Sequence, residues 1–388
     1  MATSTATQPG WRRLWQRRRD RLLTDPAFRE RASRFVATRG MARRQAVELF
    51  DLMAGFVYTQ TLLACVQLHL FERLAEAPRD AATLARESDL SLEAAERLLQ
   101  AAAALRLVEP RDHGRYGLGP LGALMVDNEA LTALVEHHRA LYADMADPLD
   151  MLRRGRGGGE LARCWAYAWA PRPGELPREI VEPFSRVMSA SQPLIAQQVL
   201  QAYPVQQHRQ LLDIGGGQGA FVIEALAAAP DLQARVFDLP AIGESARARF
   251  QAAGVADRAG FVGGDFHRDP VPEGADLITI VRVLYDHDEP AVRRLLAAAR
   301  QALAPGGTLL VAEPMADTPG AERMGAAYFG MYLWAMGSGR ARSADELGTL
   351  LRQAGFAHVH ERPTAVPLQT RVLVAQAPLP PAKEKAKA

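Results

Sequence analysis

Cysteine is scarce in this sequence: only Cys65 and Cys164 occur among 388 residues. They lie far apart, with no Cys-x-x-Cys and no histidine at ligand spacing, so neither a disulfide framework nor a structural zinc site is expected. A reducing cytoplasm is the compartment this fits. Net charge is nearly absent as well, with 46 Lys+Arg against 44 Asp+Glu for a total of +2. At 48% hydrophobic and 23% charged residues, the composition speaks against a disordered chain, a collagen-like fibre and a coiled-coil rod. No apolar stretch with a small-residue cleavage site opens the sequence, so no signal peptide is expected. The length suits two domains.

Long uncharged runs are also rare. Leu52 to Phe71 carries no formal charge for 20 residues, but Thr59, Gln60, Thr61, Gln67 and His69 would be costly in lipid. A helix buried in a protein core or a subunit interface is the preferred reading, in a soluble chain. Charge is instead concentrated at the start. From Trp11 to Arg44 there are twelve arginines against Asp20, Asp25 and Glu30, a local excess of nine positive charges. Trp11, Leu14, Trp15, Arg18 and Leu22 recur at helical spacing, the pattern of a basic amphipathic helix at a membrane surface or of an arm packed on a partner subunit.

The spacing divides the chain into a basic arm (1–45), a helical and winged-helix-like domain (46–200), an α/β domain (201–377) and a disordered tail (378–388). Within the second part, a helix from Asp80, a second helix N-capped at Ser91, and a hairpin over Leu107 to Leu118 turning at Gly114 outline a winged helix. The exposed positions of the second helix offer Glu93, Glu96, Arg97 and Gln100 among Ala and Leu. That is too sparse and too acidic to read a major groove. A packing or dimerisation module without nucleic acid is expected. Arg153 to Gly159 (RRGRGGG) lacks a Lys-Ser/Thr ending and reads as a mobile surface loop rather than a phosphate loop.

After about Arg209, short apolar runs (RQLLDIG, ARVFDL, GFVGGDF, ADLITIVRVL, GTLLVAEPM, AHVHERP, TRVLVAQ) alternate with helical stretches. This predicts a doubly wound, mainly parallel sheet with helices on both faces, one antiparallel strand at the end, and ligands at the strand C-termini. Gly215, Gly217 and Gly219 follow the first strand, where glycine lets the chain turn tightly and a ligand approach the backbone. The loop alone also satisfies a dinucleotide fingerprint. Asp213 just before it would repel a pyrophosphate and suits a cationic ligand. Asp238, followed by Leu239, closes the second strand in position to accept from ribose hydroxyls. Asp265 and Phe266 close the third, a carboxylate for an adenine amine and a ring to pack on the base.

LLDIGGGQGAF, FDLP, GDF, ADLITIVRVL followed by YDHDEP, and GRARSADELGTLLRQAGF resemble the class I S-adenosylmethionine-dependent O-methyltransferases of small molecules. The resemblance covers nearly all of the chain past residue 45. It implies a Rossmann-like methyltransferase domain behind an all-helical, winged-helix-like dimerisation domain, a homodimer, and S-adenosylmethionine without a metal. More narrowly, ARRQAVELFDLMAGFVYTQTLLACVQLHLFERL, RVLYDHDEP, AAYFGMYLWAMGSGRARS and TRVLVA resemble the demethylspheroidene (hydroxyneurosporene) O-methyltransferases, which methylate the tertiary 1-hydroxyl of acyclic carotenoids. Other acceptors, a bacteriochlorophyll-type ring carbon or a phenol, stay open, as does a non-enzymatic winged-helix sensor of the same cofactor.

Related plant phenol methyltransferases use a histidine base flanked by two glutamates. The matching positions here are Tyr285, Glu313 and Ala341, so only one of the three is kept. A tertiary alcohol is far less acidic than a phenol, and positioning with late proton loss is expected. Tyr285 would hydrogen-bond the acceptor hydroxyl, and Glu313 would orient that contact or take the proton through water. His287 is the second candidate base, although a helix-capping or surface place is the expected one. Asp286 reads as a helix N-cap. Arg282 could meet the cofactor carboxylate or a structural ion-pair partner. Tyr328, Met331, Tyr332 and Met336 lie on an all-apolar helix and are expected to line an apolar substrate tunnel. Such a substrate would be collected from a membrane, giving the arm a peripheral role at the inner or photosynthetic membrane.

Overall fold

The computed structural model describes residues 10–165, 167, 170 and 172–379. The last nine residues of the tail expected to be disordered lie outside the described residues. The chain packs as two compact units that meet in sequence between Val126 and Asp127, so the helices between 127 and 202 group with the sheet.

The first unit begins with α1 (Gly10–Thr24), α2 (Pro26–Arg34) and the long α3 (Val36–Gln67). No residue of α1 is buried; Trp11 and Trp15 are 68% and 61% exposed, each with an arginine over its ring, Arg12 at 5.4 Å and Arg19 at 5.7 Å. Helix α3 is long and apolar enough to cross a membrane. Only Leu63, Cys65 and Val66 of α3 are buried, while Leu52 and Phe56 are 69% and 66% exposed. Within one chain the uncharged run is thus exposed at its start and buried at its end, where Leu63, Cys65, Val66, Leu70 and Phe71 join the core. Next come α4 (Leu70–Glu76), β1 (Arg79–Asp80), α5 (Ala81–Glu87), α6 (Leu92–Ala104), β2 (Val108–Pro110) and β3 (Arg115–Leu118). The three strands form an antiparallel sheet in the order β1-β3-β2. Asp80 and Ser91 cap α5 and α6 by accepting from Thr83 and Ala94 backbone N–H groups. This is the winged-helix outline that the spacing predicts.

The second unit opens with α7 (Glu129–Met145), α8 (Pro148–Arg154), α9 (Glu160–Cys164) and α10 (Arg178–Ala202). Alternation follows: β4 (Gln210–Ile214), α11 (Ala220–Ala228), β5 (Gln233–Asp238), α12 (Gly243–Ala252), β6 (Ala259–Gly263), β7 (Ala275–Val281), α13 (Glu289–Ala302) and β8 (Leu303–Glu313). It closes with α14 (Phe329–Met336), α15 (Ala344–Gln353), β9 (Ala357–Arg362) and β10 (Arg371–Gln376). The sheet order is β6-β5-β4-β7-β8-β10-β9, parallel from β6 to β8, with β10 antiparallel to both neighbours. Successive strand residues face opposite layers: Leu212 and Leu309 pack with Leu295 and Leu351, Leu211 and Leu310 with Val199 and Phe221. Each fully buried leucine contributes roughly 1.5–3 kcal/mol, which commits the register. The strand order reverses direction between β4 and β7, where a crevice opens at the strand C-termini.

The glycine-rich stretch after α8 departs from expectation. Arg156 pairs with Asp288 at 2.8 Å and donates to the Gly339 carbonyl, and the Gly157 N–H donates to the Trp334 carbonyl at 2.9 Å. Asp144, buried, accepts from the N–H groups of Glu160 and Leu161. The loop is pinned rather than mobile, because its small residues let its backbone bond directly to neighbouring segments.

Candidate active site

A cavity opens at the C-terminal ends of β4 to β7 and encloses about 970 Å³, its mouth included. Gly215 and Gly217 line it in left-handed conformations, φ +72° and +56°, that a side chain would strain. Asp238, Leu239, Asp265, Phe266 and Arg282 line it as well. The Asp238 carboxylate accepts from the N–H groups of Gly217 and Leu239, both at 2.6 Å, and so shapes the loop it faces. Asp265 accepts from the His267 N–H at 2.9 Å with one oxygen; its other oxygen is buried without a partner.

Asp213 does not line the cavity. Its register partner on β7 is Thr279, whose hydroxyl donates to it at 2.6 Å. A Cβ on Gly216 would fall 2.4 Å from its other oxygen, which places the carboxyl beneath the glycine loop. Burial pushes it up to about 7. Arg282 leaves β7 with φ +59°, a rare backbone state for a side-chain-bearing residue and a mark of a shaped site. Its guanidinium donates to Ser191 Oγ at 2.7 Å and lies against Met188.

The turn after β7, Leu284–Asp286, holds the residues with most chemistry. Glu313 is buried behind it at the end of β8, accepting from the N–H groups of Val283 (3.0 Å) and Leu284 (2.7 Å). Burial raises this carboxyl to about 7. Buried Arg342 donates to the carbonyls of Leu284 (2.8 Å) and His287 (2.9 Å). Neither Glu313 nor Tyr285 lines the cavity. The Tyr285 ring packs behind it, 5.7 Å from Phe329, and burial holds its hydroxyl well above the ordinary tyrosine range.

His287 and Asp286 correct the sequence reading. His287 is buried and lines the cavity, its ring edge-on to Phe266 at 5.1 Å; burial lowers it to about 3. It is neither a cap nor a surface residue. Asp288, not Asp286, precedes α13 as its cap. Asp286 is buried, lines the cavity and accepts from the Tyr167 hydroxyl at 3.3 Å, while its other oxygen has no partner. Two hidden placements explain the miss: the turn delays the helix by two residues, and Tyr167 comes from a distant segment. One face of α10, Val181, Ser185, Met188 and Gln192, also lines the cavity. That three-to-four spacing was visible in the sequence, but nothing there told which side would face a ligand.

Of the residues expected to line a substrate tunnel, none borders this cavity. Tyr332 and Met336 are buried and Tyr328 and Met331 half-buried in an adjoining cluster with Tyr285, Trp165 and Leu161. A π-helical turn, Met324–Tyr328, leads into α14. The Tyr332 and Tyr328 hydroxyls pair with Nε2 of His137 and His138 on α7, both at 2.7 Å.

Residues 175–357 match the O-methyltransferase domain, and residues 50–128 match the O-methyltransferase dimerisation domain. A demethylspheroidene O-methyltransferase of Cereibacter sphaeroides is 38% identical over 358 residues, 92% of this chain and 94% of that protein. The chain belongs to the S-adenosylmethionine-dependent O-methyltransferases. A Rhodobacter capsulatus protein of the same name is also 38% identical, over 87% of this chain and 83% of its own length. The crystal structure of human N-acetylserotonin methyltransferase with S-adenosylmethionine superposes with a TM-score of 0.72 at 25% identity, covering 86% of this chain and 98% of that one. The dimerisation match takes in the exposed Leu52 and Phe56 of α3 and accords with a homodimer.

The residues of this methyltransferase fit the cofactor. The unpartnered Asp265 oxygen offers an acceptor to an adenine amine beside the Phe266 ring, and Asp238 faces the cavity where ribose hydroxyls need acceptors. Among the described residues no cluster of His, Cys, Asp and Glu is built to hold a metal.

Proposed function

We propose that this O-methyltransferase methylates the tertiary 1-hydroxyl of an acyclic carotenoid of the demethylspheroidene or 1-hydroxyneurosporene type. The observation that carries this reading is the near full-length likeness to two demethylspheroidene O-methyltransferases at 38% identity. S-adenosylmethionine supplies an activated methyl group when bound. Gly215, Gly217, Asp238, Leu239, Asp265 and Phe266 hold it, with Asp213 bracing the glycine loop from below and Arg282 on the wall towards β7. The protein's part is then to place the acceptor oxygen and remove its proton as the new bond forms. Glu313 serves as a positioning residue for the turn that follows β7. Tyr285, Tyr328, Met331, Tyr332 and Met336 form an aromatic and sulfur-rich cluster that adjoins the cavity without lining it, an apolar surround suited to a polyene.

Such an acceptor is dissolved in membrane, which gives the exposed tryptophans and arginines of α1 a peripheral docking role on the cytoplasmic side. The functional reading is tested by incubating the purified enzyme with isotopically labelled S-adenosylmethionine and a panel of hydroxycarotenoids, chlorins and phenols. Label in the methoxy group of a hydroxycarotenoid is expected. Label only in a chlorin or a phenol would overturn the carotenoid assignment.

A further inference from the structure

Among the described residues three carboxyls line the cavity, and the sheet order separates them. Asp238 and Asp265 follow β5 and β6, on one side of the glycine loop; Asp286 follows β7, on the other. His287 turns its ring to Phe266, on the adenosine side, whereas Asp286 turns to Tyr167, beside the aromatic cluster. Asp286 is only 4% exposed and keeps one oxygen, Oδ1, without a partner. A buried, cavity-lining acceptor left open is costly unless a ligand donates to it.

On the methyltransferase reading above, we propose that Asp286 is the catalytic residue that holds the acceptor hydroxyl and takes its proton. The hydroxyl oxygen gains the methyl carbon as that carbon leaves sulfur, with sulfur keeping the bonding pair. The hydroxyl proton passes to Oδ1 of Asp286, so a carboxylate becomes a neutral acid while a sulfonium becomes a neutral thioether. The other candidates stand badly for this step. Glu313 gives Oε1 to two backbone N–H groups behind the turn, and neither Glu313 nor Tyr285 lines the cavity. His287 turns its ring to Phe266, away from the Tyr167 side.

The surroundings suit Asp286 for the task. Burial first, and Glu313 second, lift its carboxyl well above the usual range, while Arg282, Tyr167 and Tyr285 pull it back. His287 on the same turn and Arg342, bonded to that turn's carbonyls, complete the polar groups around it. A carboxylate lifted towards the working pH is a better base.

The test uses full-length Asp286→Asn enzyme, single-turnover methyl transfer to the acceptor that the wild type methylates, and calorimetric titration with S-adenosylhomocysteine. Product binding within about twofold of wild type, a rate at least about 100-fold lower, and loss of the limb that rises with pH are expected. A rate within about fivefold of wild type would overturn the proposal. So would product binding weakened more than about tenfold, which would make Asp286 a cofactor-holding group. Tyr167→Phe removes a donor to Asp286 and is expected to move the rising limb to higher pH; an unmoved limb counts against the proposal even if Asp286→Asn fails to fold. Should the wild type methylate a phenol instead of a carotenoid, the substrate assignment fails while the Asp286 test proceeds on that phenol.

Discussion

Glu313 and Arg342 hold opposite polar faces of a single peptide segment: the Leu284 N–H donates to Glu313, and the Leu284 carbonyl accepts from Arg342. A carboxyl at the end of β8 and a guanidinium from the loop between α14 and α15 thus clamp the turn that carries Asp286. Glu313→Ala would leave the N–H groups of Val283 and Leu284 buried and unpaired. At roughly 1–3 kcal/mol for each, a loss of about 2–6 kcal/mol is expected in urea denaturation. Glu313→Gln keeps an acceptor oxygen in place of a carboxyl that burial raises to about 7, so it should cost less than half as much. Equal losses in the two variants would contradict the clamp.

Asp265→Asn tests the adenosine side. The open Asp265 oxygen becomes an amide group on rotation, or the bond from the His267 N–H is lost. The first removes the acceptor offered to the ligand and the second loosens the turn that presents it, so S-adenosylhomocysteine should bind about 10–100-fold more weakly in calorimetry. Unchanged affinity would remove Asp265 from the cofactor site.

His137 makes stability depend on pH. Burial first, and the neighbouring His138 second, lower it from 6.5 to about 4. The unfolded chain takes up this proton below 6.5, while the folded chain resists it until about 4. The contribution is therefore full above 6.5 and disappears as pH falls through that window. It amounts to about 3 kcal/mol between the two limits. His137→Gln should flatten the wild-type stability curve between pH 6.5 and 4 by about that much; an unchanged slope would show that the group titrates normally.

The fold was legible because hydrophobic period and strand-end chemistry agree. Leu211 and Leu212 face opposite layers as alternation requires, and Asp238 and Asp265 border the cavity as strand ends in this fold should. What the sequence hid depends on segments far apart in the chain. Asp286 looks like a helix cap until Tyr167, 119 residues away, is seen to bond it. RRGRGGG looks loose until its backbone is seen bonded to Trp334. Asp213 sits one step behind the place expected, because the loop folds over it.

The arm gives a separate prediction. Trp11→Ala/Trp15→Ala enzyme should co-sediment less with vesicles rich in anionic lipid, several-fold below wild type, since both rings are exposed. Wild-type binding should also fall with added salt, as screening weakens the arginines. Equal sedimentation of both proteins would remove α1 from membrane docking.

The bonds from His137 to Tyr332 and from His138 to Tyr328 act like two rivets. Adjacent residues on α7 project about 100° apart around its axis, whereas two tyrosines four apart are separated by about 6 Å along theirs. Rivets set across one rod and along another oblige the rods to cross obliquely, and with both in place neither rod can swivel. Removing a single tyrosine hydroxyl would leave one pivot. The breadth of the aromatic wall would then follow the angle between two helices as well as the bulk of the side chains on it, so Tyr328→Phe, which keeps the ring and frees the angle, is expected to alter which chain lengths are accepted.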